Sequence, residues 1–240
     1  MATINFVLQG KGGVGKSLIA TLLAQHYQDQ GVATMCFDTD PVNHTFASFE
    51  ALNVQAVDIL DNGRVIESAF DGFIEQILQV PDETIIIVDN GASTFLPMCA
   101  YLKDNEIFPF LRDNGHKILL HAVVTGGQGI LDTMNGLKAL IVNFPDAPVV
   151  VWLNEYFGKT EMNGVPVEDS KVIGKAKNVH AFIRLTELHK ETFGRNFARM
   201  LKERKTFGEA LASPSFTVMC RQRLVMIRRA INQEIKQACL

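Results

Sequence analysis

The chain has 240 residues, of which 47% are hydrophobic and 20% charged, and its formal net charge is −3. This composition excludes a largely disordered chain, and the length suits one large α/β domain with a substantial core. The N-terminus lacks the pattern of a signal peptide, and no apolar run approaches the length of a transmembrane helix. The sequence therefore predicts a cytoplasmic protein.

Cysteines and histidines do not form a metal or disulfide pattern. Cys36, Cys99, Cys220 and Cys239 lie far apart and include no Cys-x-x-Cys pair, so neither a disulfide framework nor a zinc site is expected. The six histidines make no His-Glu-x-x-His arrangement, and each is interpreted as a packed or surface residue.

The first predicted elements are a strand over residues 3–9 and a helix over residues 16–30. The segment that joins them, Gly10–Ser17, fits the pattern of Gly, four residues and Gly-Lys-Ser, with an extra lysine, Lys11, after the first glycine. Glycines let the backbone turn its N–H groups inward around a polyphosphate, and the start of a helix favours anions. The sequence therefore predicts a site for a nucleoside triphosphate, and the alternative is a glycine-rich turn that only connects strand to helix.

Two side chains of this segment have predicted chemical tasks. Lys16 is expected to reach the β- and γ-phosphates, and the Ser17 hydroxyl to complete a Mg²⁺ shell. The predicted nucleotide-binding residues of this segment are Gly10, Lys11, Gly12, Gly13, Val14, Gly15, Lys16, Ser17 and Leu18.

Two further predicted strands lead into acidic residues. Residues 32–37 precede Asp38-Thr39-Asp40, and the β-branched run from residue 84 ends at Asp89. Ligands of open α/β sheets bind outside the carboxyl ends of strands, so these acids are expected at the nucleotide site. A strand-end carboxylate paired with a phosphate loop predicts a Mg²⁺ ligand, Asp89. Asp38 and Asp40 are expected to have different tasks, so that only one of them need face the γ-phosphate.

The rest of the chain continues the alternation of strands and helices. Residues 44–80 are predicted to be acidic and loosely helical, with the clearest helix beginning at Phe70. The later elements are predicted as a strand over 117–124, a glycine-rich turn over 125–129, a helix over 130–142, a strand over 148–153 that leads to Asn154, a loop or insertion over 155–177, a strand over 179–185, and helices over 194–204 and 215–238. This order predicts an α/β fold, a mostly parallel sheet with helices on both faces in a single domain over residues 1–240.

The C-terminal part, residues 190–240, is strongly basic, with eleven Lys and Arg against four Asp and Glu. The favoured interpretation is a solvated helical face, and the alternative is contact with an anionic partner, DNA or a lipid surface. An apolar stripe of Leu224, Ile227, Ile231 and Ile235 is typical of a helix packed on its domain, or of one lying on a membrane. The candidate DNA-binding residues are Arg195, Arg199, Lys202, Arg204, Lys205, Arg221, Arg223, Arg228 and Arg229.

The motifs resemble those of the ParA/MinD family of ATPases. Lys11–Ser17 resembles the family's deviant Walker A motif, Asp38–Pro41 its first switch segment, Asp89 its Walker B acid, and Asn154 the residue that reads adenine. The resemblance covers most of the chain and implies a P-loop NTPase fold, with ATP and Mg²⁺ bound. It also implies a homodimer around ATP.

The resemblance assigns catalytic roles to Lys11, Lys16 and Asp40. Lys11 of one subunit would reach the phosphates of the other, where a cation stabilises the developing charge, and Asp40 would orient the attacking water. It assigns the Mg²⁺ shell to Ser17, Asp38 and Asp89. Two positions depart from typical partition ATPases, Val42 and the run Asn90-Gly91-Ala92, and both put the coupling to a partner in doubt.

The resemblance is closest to a branch of the family that serves plasmid conjugation in bacteria. It implies a Mg²⁺-dependent ATPase that switches between monomer and dimer to support conjugal DNA transfer, with conjugation-machinery or relaxosome proteins as partners. The alternatives are a DNA-partition ATPase, a positioning ATPase peripheral to the inner membrane, and a module that binds nucleotide without hydrolysing it. A redox ATPase is rejected because no second cysteine suitably follows Cys99 to hold an iron–sulfur cluster.

Overall fold

The structure is a computed structural model that describes residues 1–57, 59–61 and 64–240. The predicted acidic region over residues 44–80 falls partly on residues 58, 62 and 63, and that part of the prediction lies outside the described residues. The described strands are β1 Thr3–Leu8, β2 Thr34–Asp38, β3 Gln55–Ala56, β4 Leu60–Asp61, β5 Arg64–Val65, β6 Ile85–Asp89, β7 Lys117–Thr125, β8 Val149–Asn154, β9 Glu161–Met162, β10 Val165–Pro166 and β11 Val179–Leu185.

Seven of these described strands form one parallel sheet in the order β11-β8-β7-β1-β6-β2-β3. After β1, the chain forms β2, β3 and β6 on one side of that strand and then β7, β8 and β11 on the other side. The strand order therefore reverses at β1. Ligands of such sheets bind in the crevice at the carboxyl end of this point. The predicted fold class is therefore confirmed, and the segment after β1 is placed at the expected binding edge.

Helices cover both faces of the sheet. The described helices are α1 Lys16–Asp29, α2 Glu67–Leu78, α3 Phe95–Asp104, α4 Ile107–Asp113, α5 Ile130–Asn143, α6 Arg195–Lys202, α7 Phe207–Ala212 and α8 Val218–Gln237. One face packs against α2, α3, α4 and α5 in the larger core cluster, and the other packs against α1 and α8. The central strands are buried on both faces, which explains why their sequences are almost continuously apolar.

The C-terminal part contains both predicted helices, as α6 and α8, and two elements that were not predicted. A short π-helical turn, Lys190–Gly194, leads into α6. The unpredicted α7 begins at Thr206, whose hydroxyl accepts the Glu209 N–H while the Glu209 carboxylate accepts the Thr206 N–H. This capping box starts a helix too short to show an apolar period. With α6 and α8, α7 encloses a separate small core against Leu22 of α1.

The segment over residues 155–177 contains regular structure. A hairpin of β9 and β10 lies between 3₁₀ turns at Glu155–Phe157, Val167–Asp169 and Ile173–Lys175. Helices α3 and α4, which the sequence pattern left without a prediction, connect β6 to β7 and pack on the larger core.

A buried row of hydrogen bonds crosses the centre of the sheet. Trp152 Nε1 donates to His121 Nδ1 at 2.9 Å, so the His121 proton is on Nε2, which donates to Asn5 Oδ1 at 2.9 Å. The Asn5 amide then donates to the Ile86 carbonyl at 3.2 Å. Burial lowers the pKa of His121 from 6.5 to about 3. The structure therefore holds this histidine neutral.

This histidine gives the fold an acid sensitivity. Because the folded pKa lies below the unfolded one, the stability is fully present above pH 6.5 and is lost as the pH falls toward 3. We expect His121 to add a slope of up to about 1.4 kcal/mol per pH unit to the free energy of unfolding. We expect the free energy of unfolding in urea, measured between pH 7 and 4, to lose that slope in His121→Gln. It should keep the slope in His180→Gln, because His180 is exposed. Equal slopes in both variants would contradict the assignment.

Candidate functional site

The glycine-rich segment between β1 and α1 is built as a concave loop. Gly13 and Gly15 have φ angles of 73° and 104°, in the left-handed region that disfavours other residues. Gly15 is the N-cap of α1 and has no side chain to occupy the free N–H groups of the first helical turn. These groups and the helix dipole form a site that suits a phosphate.

Gln9 anchors the start of this loop to the rest of the fold. Its amide Nε2 donates to the carbonyls of Val123 at 2.7 Å and Thr133 at 3.0 Å, while its Oε1 accepts the Gly10 N–H at 2.8 Å. Gly136 of α5 makes room for this side chain, because a Cβ there would lie 2.0 Å from Gln9 Oε1. Sequence reasoning missed both residues, although a glycine in the middle of a predicted helix is a signal of close packing.

The loop also touches the segment that follows β6. A Cβ on Gly10 would lie 2.9 Å from the ring of Phe95, the first residue of α3, and one on Gly12 would lie 3.8 Å from the Ala92 side chain. The phosphate-binding loop and the segment after Asp89 are therefore packed closely together. This contact joins two of the predicted site segments.

The two lysines of the loop make different contacts. Lys16 is buried, and its Nζ donates to the Lys11 carbonyl at 2.9 Å. Burial lowers the pKa of Lys16, and the nearby carboxylates of Asp89 and Asp40 oppose that shift. Lys11 is half-exposed and pairs with Asp132 of α5 at 2.8 Å. In this structure Lys11 is thus held by its own chain.

Asp89, at the end of β6, is a buried acid that forms no ion pair with any residue that the structure describes. Within the described residues, neither of its oxygens has a hydrogen-bond partner of ordinary geometry. Burial raises the pKa of Asp89 to about 8, although the neighbouring Ser17 hydroxyl acts to lower it. An unpaired buried carboxylate beside a hydroxyl and a phosphate loop offers the hard oxygen ligands that Mg²⁺ prefers. The residues present therefore fit a magnesium ion.

Asp38 and Asp40 have different surroundings, although the alternation of a strand would place residues two apart on the same face. Asp38 is buried, and its two oxygens accept the N–H groups of Asp40 at 2.9 Å and Ala47 at 2.9 Å. Burial raises the pKa of Asp38, and these two hydrogen bonds oppose the shift. Thr39 between them donates from its N–H and its hydroxyl to the Asp89 carbonyl. The end of β2 is thereby tied to the end of β6.

Asp40 lies partly exposed at the mouth of the site. Its Oδ1 accepts the N–H groups of Val42 at 3.0 Å and Asn43 at 3.3 Å, in an Asx turn that contains Pro41. Gly91 packs directly against it, since a Cβ at Gly91 would lie 2.9 Å from the Asp40 carboxyl carbon. The glycine after Asn90 therefore has a packing role.

Asn154, at the end of β8, contacts the phosphate-binding loop. Its Nδ2 donates to the Val14 carbonyl at 2.9 Å, and its Oδ1 accepts the Tyr156 N–H at 3.2 Å. The segment over residues 125–129 packs against the turn that follows Asn154, because a Cβ on Gly126 would lie 2.2 Å from the Gly158 carbonyl oxygen. Its glycines thus permit close packing.

The structure brings the predicted site residues together at one edge. Residues 10–18, Asp38, Asp40, Asp89 and Asn154 all lie at or directly after the carboxyl ends of the parallel strands β1, β2, β6 and β8. Cys99, which the sequence analysis rejects as an iron–sulfur ligand, is a buried residue of α3, and burial raises the pKa of its thiol to about 12.

The apolar stripe of α8 packs on the domain. Leu224 and Ile227 are buried in the small core of α6, α7 and α8, and Ile235 is buried in the core between α1 and the sheet, in agreement with the favoured sequence interpretation. Among the residues that the structure describes, no helix is long and apolar enough to cross a membrane.

The predicted basic surface is partly engaged within the chain. Arg228 pairs with Asp29 of α1, and Arg199 pairs with Glu203 while its guanidinium lies 4.5 Å from the Phe216 ring centroid. Arg195, Lys202 and Arg204 are exposed on and after α6. Some of the candidate DNA-binding residues are therefore exposed to solvent, whereas others contact side chains of their own chain.

Comparison with known proteins agrees with this fold. A model of the CobQ/CobB/MinD/ParA nucleotide binding domain matches residues 6–213. Two proteins of Escherichia coli, both named Protein TraL, are 44% and 43% identical to the chain, over all of it and all of their own length.

Two solved structures are similar at low sequence identity. The MinD cell division protein of Aquifex aeolicus superposes with a TM-score of 0.54 at 14% identity, covering 95% of both chains. The MinC:MinD cell division protein complex of the same organism gives a TM-score of 0.52 at 13% identity, covering 95% of this chain and 94% of the other. These likenesses show the fold, and the sequence relationships show more: the chain belongs to the CobQ/CobB/MinD/ParA family of nucleotide-binding domains.

Proposed function

We propose that the chain is a Mg²⁺-dependent ATPase that dimerises around ATP and supports plasmid conjugal transfer. The observation that carries this proposal is the unpaired, buried carboxylate of Asp89 beside Ser17 and Lys16, below a loop shaped for phosphates. A buried acid whose oxygens lack partners favours a cation, which can replace its proton. The phosphate loop supplies the place where Mg²⁺ and a triphosphate would arrive together.

The side chains divide the work of hydrolysis. The N–H groups of residues 10–18 and the Lys16 amine bind the phosphates, and Lys16 gives up its contact with the Lys11 carbonyl to do so. Ser17 and Asp89 would hold Mg²⁺, and the bound ion would supply positive charge beside the phosphoryl oxygens. Asp38, whose oxygens already accept two backbone N–H groups, shapes the rim of the Mg²⁺ shell.

Asp40 is proposed to orient the attacking water. Its Oδ1 is fixed by the turn over residues 41–43 and by packing against Gly91, and its side chain stays partly exposed toward the mouth. A fixed, hydrated carboxylate is suited to hold a water in line with the phosphate, which is mostly a matter of position. Hydrolysis that persists unchanged in Asp40→Ala would contradict this role.

The proposed dimer partner is a second copy of the chain. Exposed apolar side chains follow three strands that surround the site: Val42 after β2, Leu96 after β6 and Leu131 after β7. Apolar side chains exposed around one site favour a protein interface. The second copy would offer its own Lys11, freed from Asp132, to the shared phosphates.

If the dimer forms in this way, substitutions of Lys11 and Asp132, which form one ion pair, should have opposite effects on dimerisation. We expect Lys11→Ala to lose ATP-dependent dimerisation, and Asp132→Asn to strengthen it about twofold, because an exposed ion pair is worth under about 1 kcal/mol. Light scattering after size-exclusion chromatography with ADP, ATP and a non-hydrolysable analogue measures both. Lys138→Ala, an exposed lysine of the same helix as Asp132, is the control. If the molar mass of the wild type is the same with every nucleotide, the proposed monomer–dimer switch is wrong.

The role in conjugation is supported by the relationship to the TraL proteins over the full chain. We also propose that residues 1–240 act as one domain, with residues 190–240 as a basic helical part. One face of α1 supports this: Gln25 accepts the Phe207 N–H at 2.6 Å, His26 bonds Asn232 at 3.0 Å and Asp29 pairs with Arg228. The helix that begins at the phosphate loop therefore carries the C-terminal part. Loss of plasmid transfer on deletion of the gene, restored by the wild type and not by Asp89→Asn, tests the conjugal role.

A further inference from the structure

The turn that follows β8, residues 154–158, exposes two aromatic rings. The side chains of Tyr156 and Phe157 are 69% and 53% exposed, and their rings meet edge to face at 4.8 Å. Among the exposed large apolar side chains of the described residues, the other aromatic is Phe110 of α4, a helix that leads to the opposite edge of the sheet. Exposed rings of this size usually mark a contact with a ligand or a partner.

This aromatic turn is fixed against the phosphate-binding loop. Asn154 bridges the two, since it donates to the Val14 carbonyl and accepts the Tyr156 N–H. On the other side, a Cβ on Gly127 would lie 2.8 Å from the Phe157 carbonyl oxygen, so the backbones are in close contact. The backbone that carries the two rings is therefore held against the phosphate-binding loop on one side and against Gly127 on the other.

Arg184 holds the outer side of the same turn. Its guanidinium pairs with Glu155, the residue after Asn154, and with Glu168, which lies beyond the β9–β10 hairpin. Its own N–H donates to Glu234 of α8 at 3.1 Å. Arg184 lies on β11 in register with Leu153 of β8, so these pairs connect the turn to the neighbouring strand. One planar guanidinium thus fixes two carboxylates from either end of the segment that carries the rings.

We propose that Tyr156 and Phe157 form the stacking surface for the base of the bound nucleotide, and that Arg184 is a positioning residue for it. This inference rests on the proposed binding of a nucleotide at Gly10–Ser17. The base is tethered to the phosphates through the ribose, and the turn touches the loop at Val14, so the rings lie where the base can reach. Aromatic rings accept any base on their faces, so they add affinity while Asn154 remains the group that can read base edges.

Equilibrium binding of ADP and of inorganic pyrophosphate, both with Mg²⁺, tests this without hydrolysis. Tyr156→Ala and Phe157→Ala should each lower the affinity for ADP about tenfold, which is the loss typical of one stacked ring. The affinity for pyrophosphate should change less than twofold. Phe110→Ala is the matched control and should change neither. The diphosphate of 2-aminopurine riboside adds a spectroscopic readout, because its fluorescence is quenched on stacking and should stay bright in the two variants.

The positioning role has its own matched pair. Arg184→Met should lower the affinity for ADP about threefold to tenfold. The affinity for pyrophosphate and the melting temperature should stay nearly unchanged. Arg228→Met is the control, because both arginines are ion-paired and similarly exposed, at 36% and 30% of their side chains. Glu155→Gln weakens the same support with a smaller change and should shift ADP binding in the same direction. An unaltered ratio of ADP to pyrophosphate affinity in both variants would overturn the role of Arg184.

The outcomes separate this inference from the proposed function. A wild type that binds neither ligand overturns both. A wild type that binds both, with an unchanged ratio in the aromatic variants, overturns the stacking surface alone. If these variants lose ATP-dependent dimerisation while their ADP affinity stays at the wild-type value, the rings contact a second copy of the chain, and the inference is wrong.

Discussion

Asp89→Asn is expected to lower ATP hydrolysis about a hundredfold or more and to remove its dependence on Mg²⁺. The physical reason is that Asp89 provides an unpaired buried carboxylate beside Ser17, and the amide of Asn has the same shape without the charge. Steady-state hydrolysis across a Mg²⁺ titration measures the change. Asp146→Asn, which alters an exposed carboxylate at the opposite edge of the sheet, is the control. Wild-type hydrolysis by Asp89→Asn would contradict the proposed metal site.

The same substitution should stabilise the protein when Mg²⁺ and nucleotide are absent. Because the pKa of Asp89 is raised to about 8 in the folded state, its contribution to stability is present below its unfolded pKa and is lost as the pH rises through 8. The advantage of Asp89→Asn should therefore grow between pH 5 and 8, to about 1–3 kcal/mol after the cost of an unpaired amide. Urea unfolding in a chelator measures it. A difference between variant and wild type that stays constant with pH would show that burial does not shift this carboxylate.

Gly136→Ala is expected to destabilise the protein by about 2–4 kcal/mol and to weaken nucleotide binding. The new Cβ would lie 2.0 Å from Gln9 Oε1, and moving that side chain breaks the hydrogen bonds that hold the start of the phosphate loop. Gly72→Ala is a matched control in α2, because nothing lies within 4 Å of its added Cβ. It should stabilise the protein by roughly 0.5–1 kcal/mol through helix propensity. Urea unfolding and titration with ADP measure both.

A double variant shows whether Gln9 is the cause. Gln9→Ala removes the side chain that Gly136→Ala would strike, so the second substitution should cost little in its presence. We expect the two effects to be far from additive, with a coupling energy of about 1–3 kcal/mol. Additive effects would mean that Gly136 makes room for something other than Gln9.

Much of the site was readable from local pattern because each part is carried by a strand end. The glycine spacing of residues 10–17 implies a loop with inward N–H groups, and the acids Asp38 and Asp89 directly follow apolar runs. Parallel strands bring their carboxyl ends to one edge, so these residues had to meet once the sheet was recognised. The proposed roles of Lys11, Asp40 and Asn154 depend on resemblance and stay predictions.

Other parts of the site depend on contacts between distant segments. Nothing near Gln9 in sequence points to Thr133, and nothing near Lys11 points to Asp132, yet both pairs meet because α5 packs beside the phosphate loop. The same holds for Arg184, which finds Glu155 and Glu168 only because β11 pairs with β8. The short α7 was missed because one and a half turns show no apolar period, and its capping box acts locally.

The sequence by itself determined the fold class, the phosphate loop and the acids that accompany it, because these follow from periodicity and from which residues end each strand. The tertiary structure alone decided which of those groups are free. In the part of the chain that the structure describes, both oxygens of Asp38 are hydrogen-bonded to backbone whereas neither oxygen of Asp89 has a partner, and Lys11 pairs with Asp132 of its own chain. Burial and hydrogen-bond partners are properties of packing, and some partners come from residues more than a hundred positions away, as Asp132 does for Lys11.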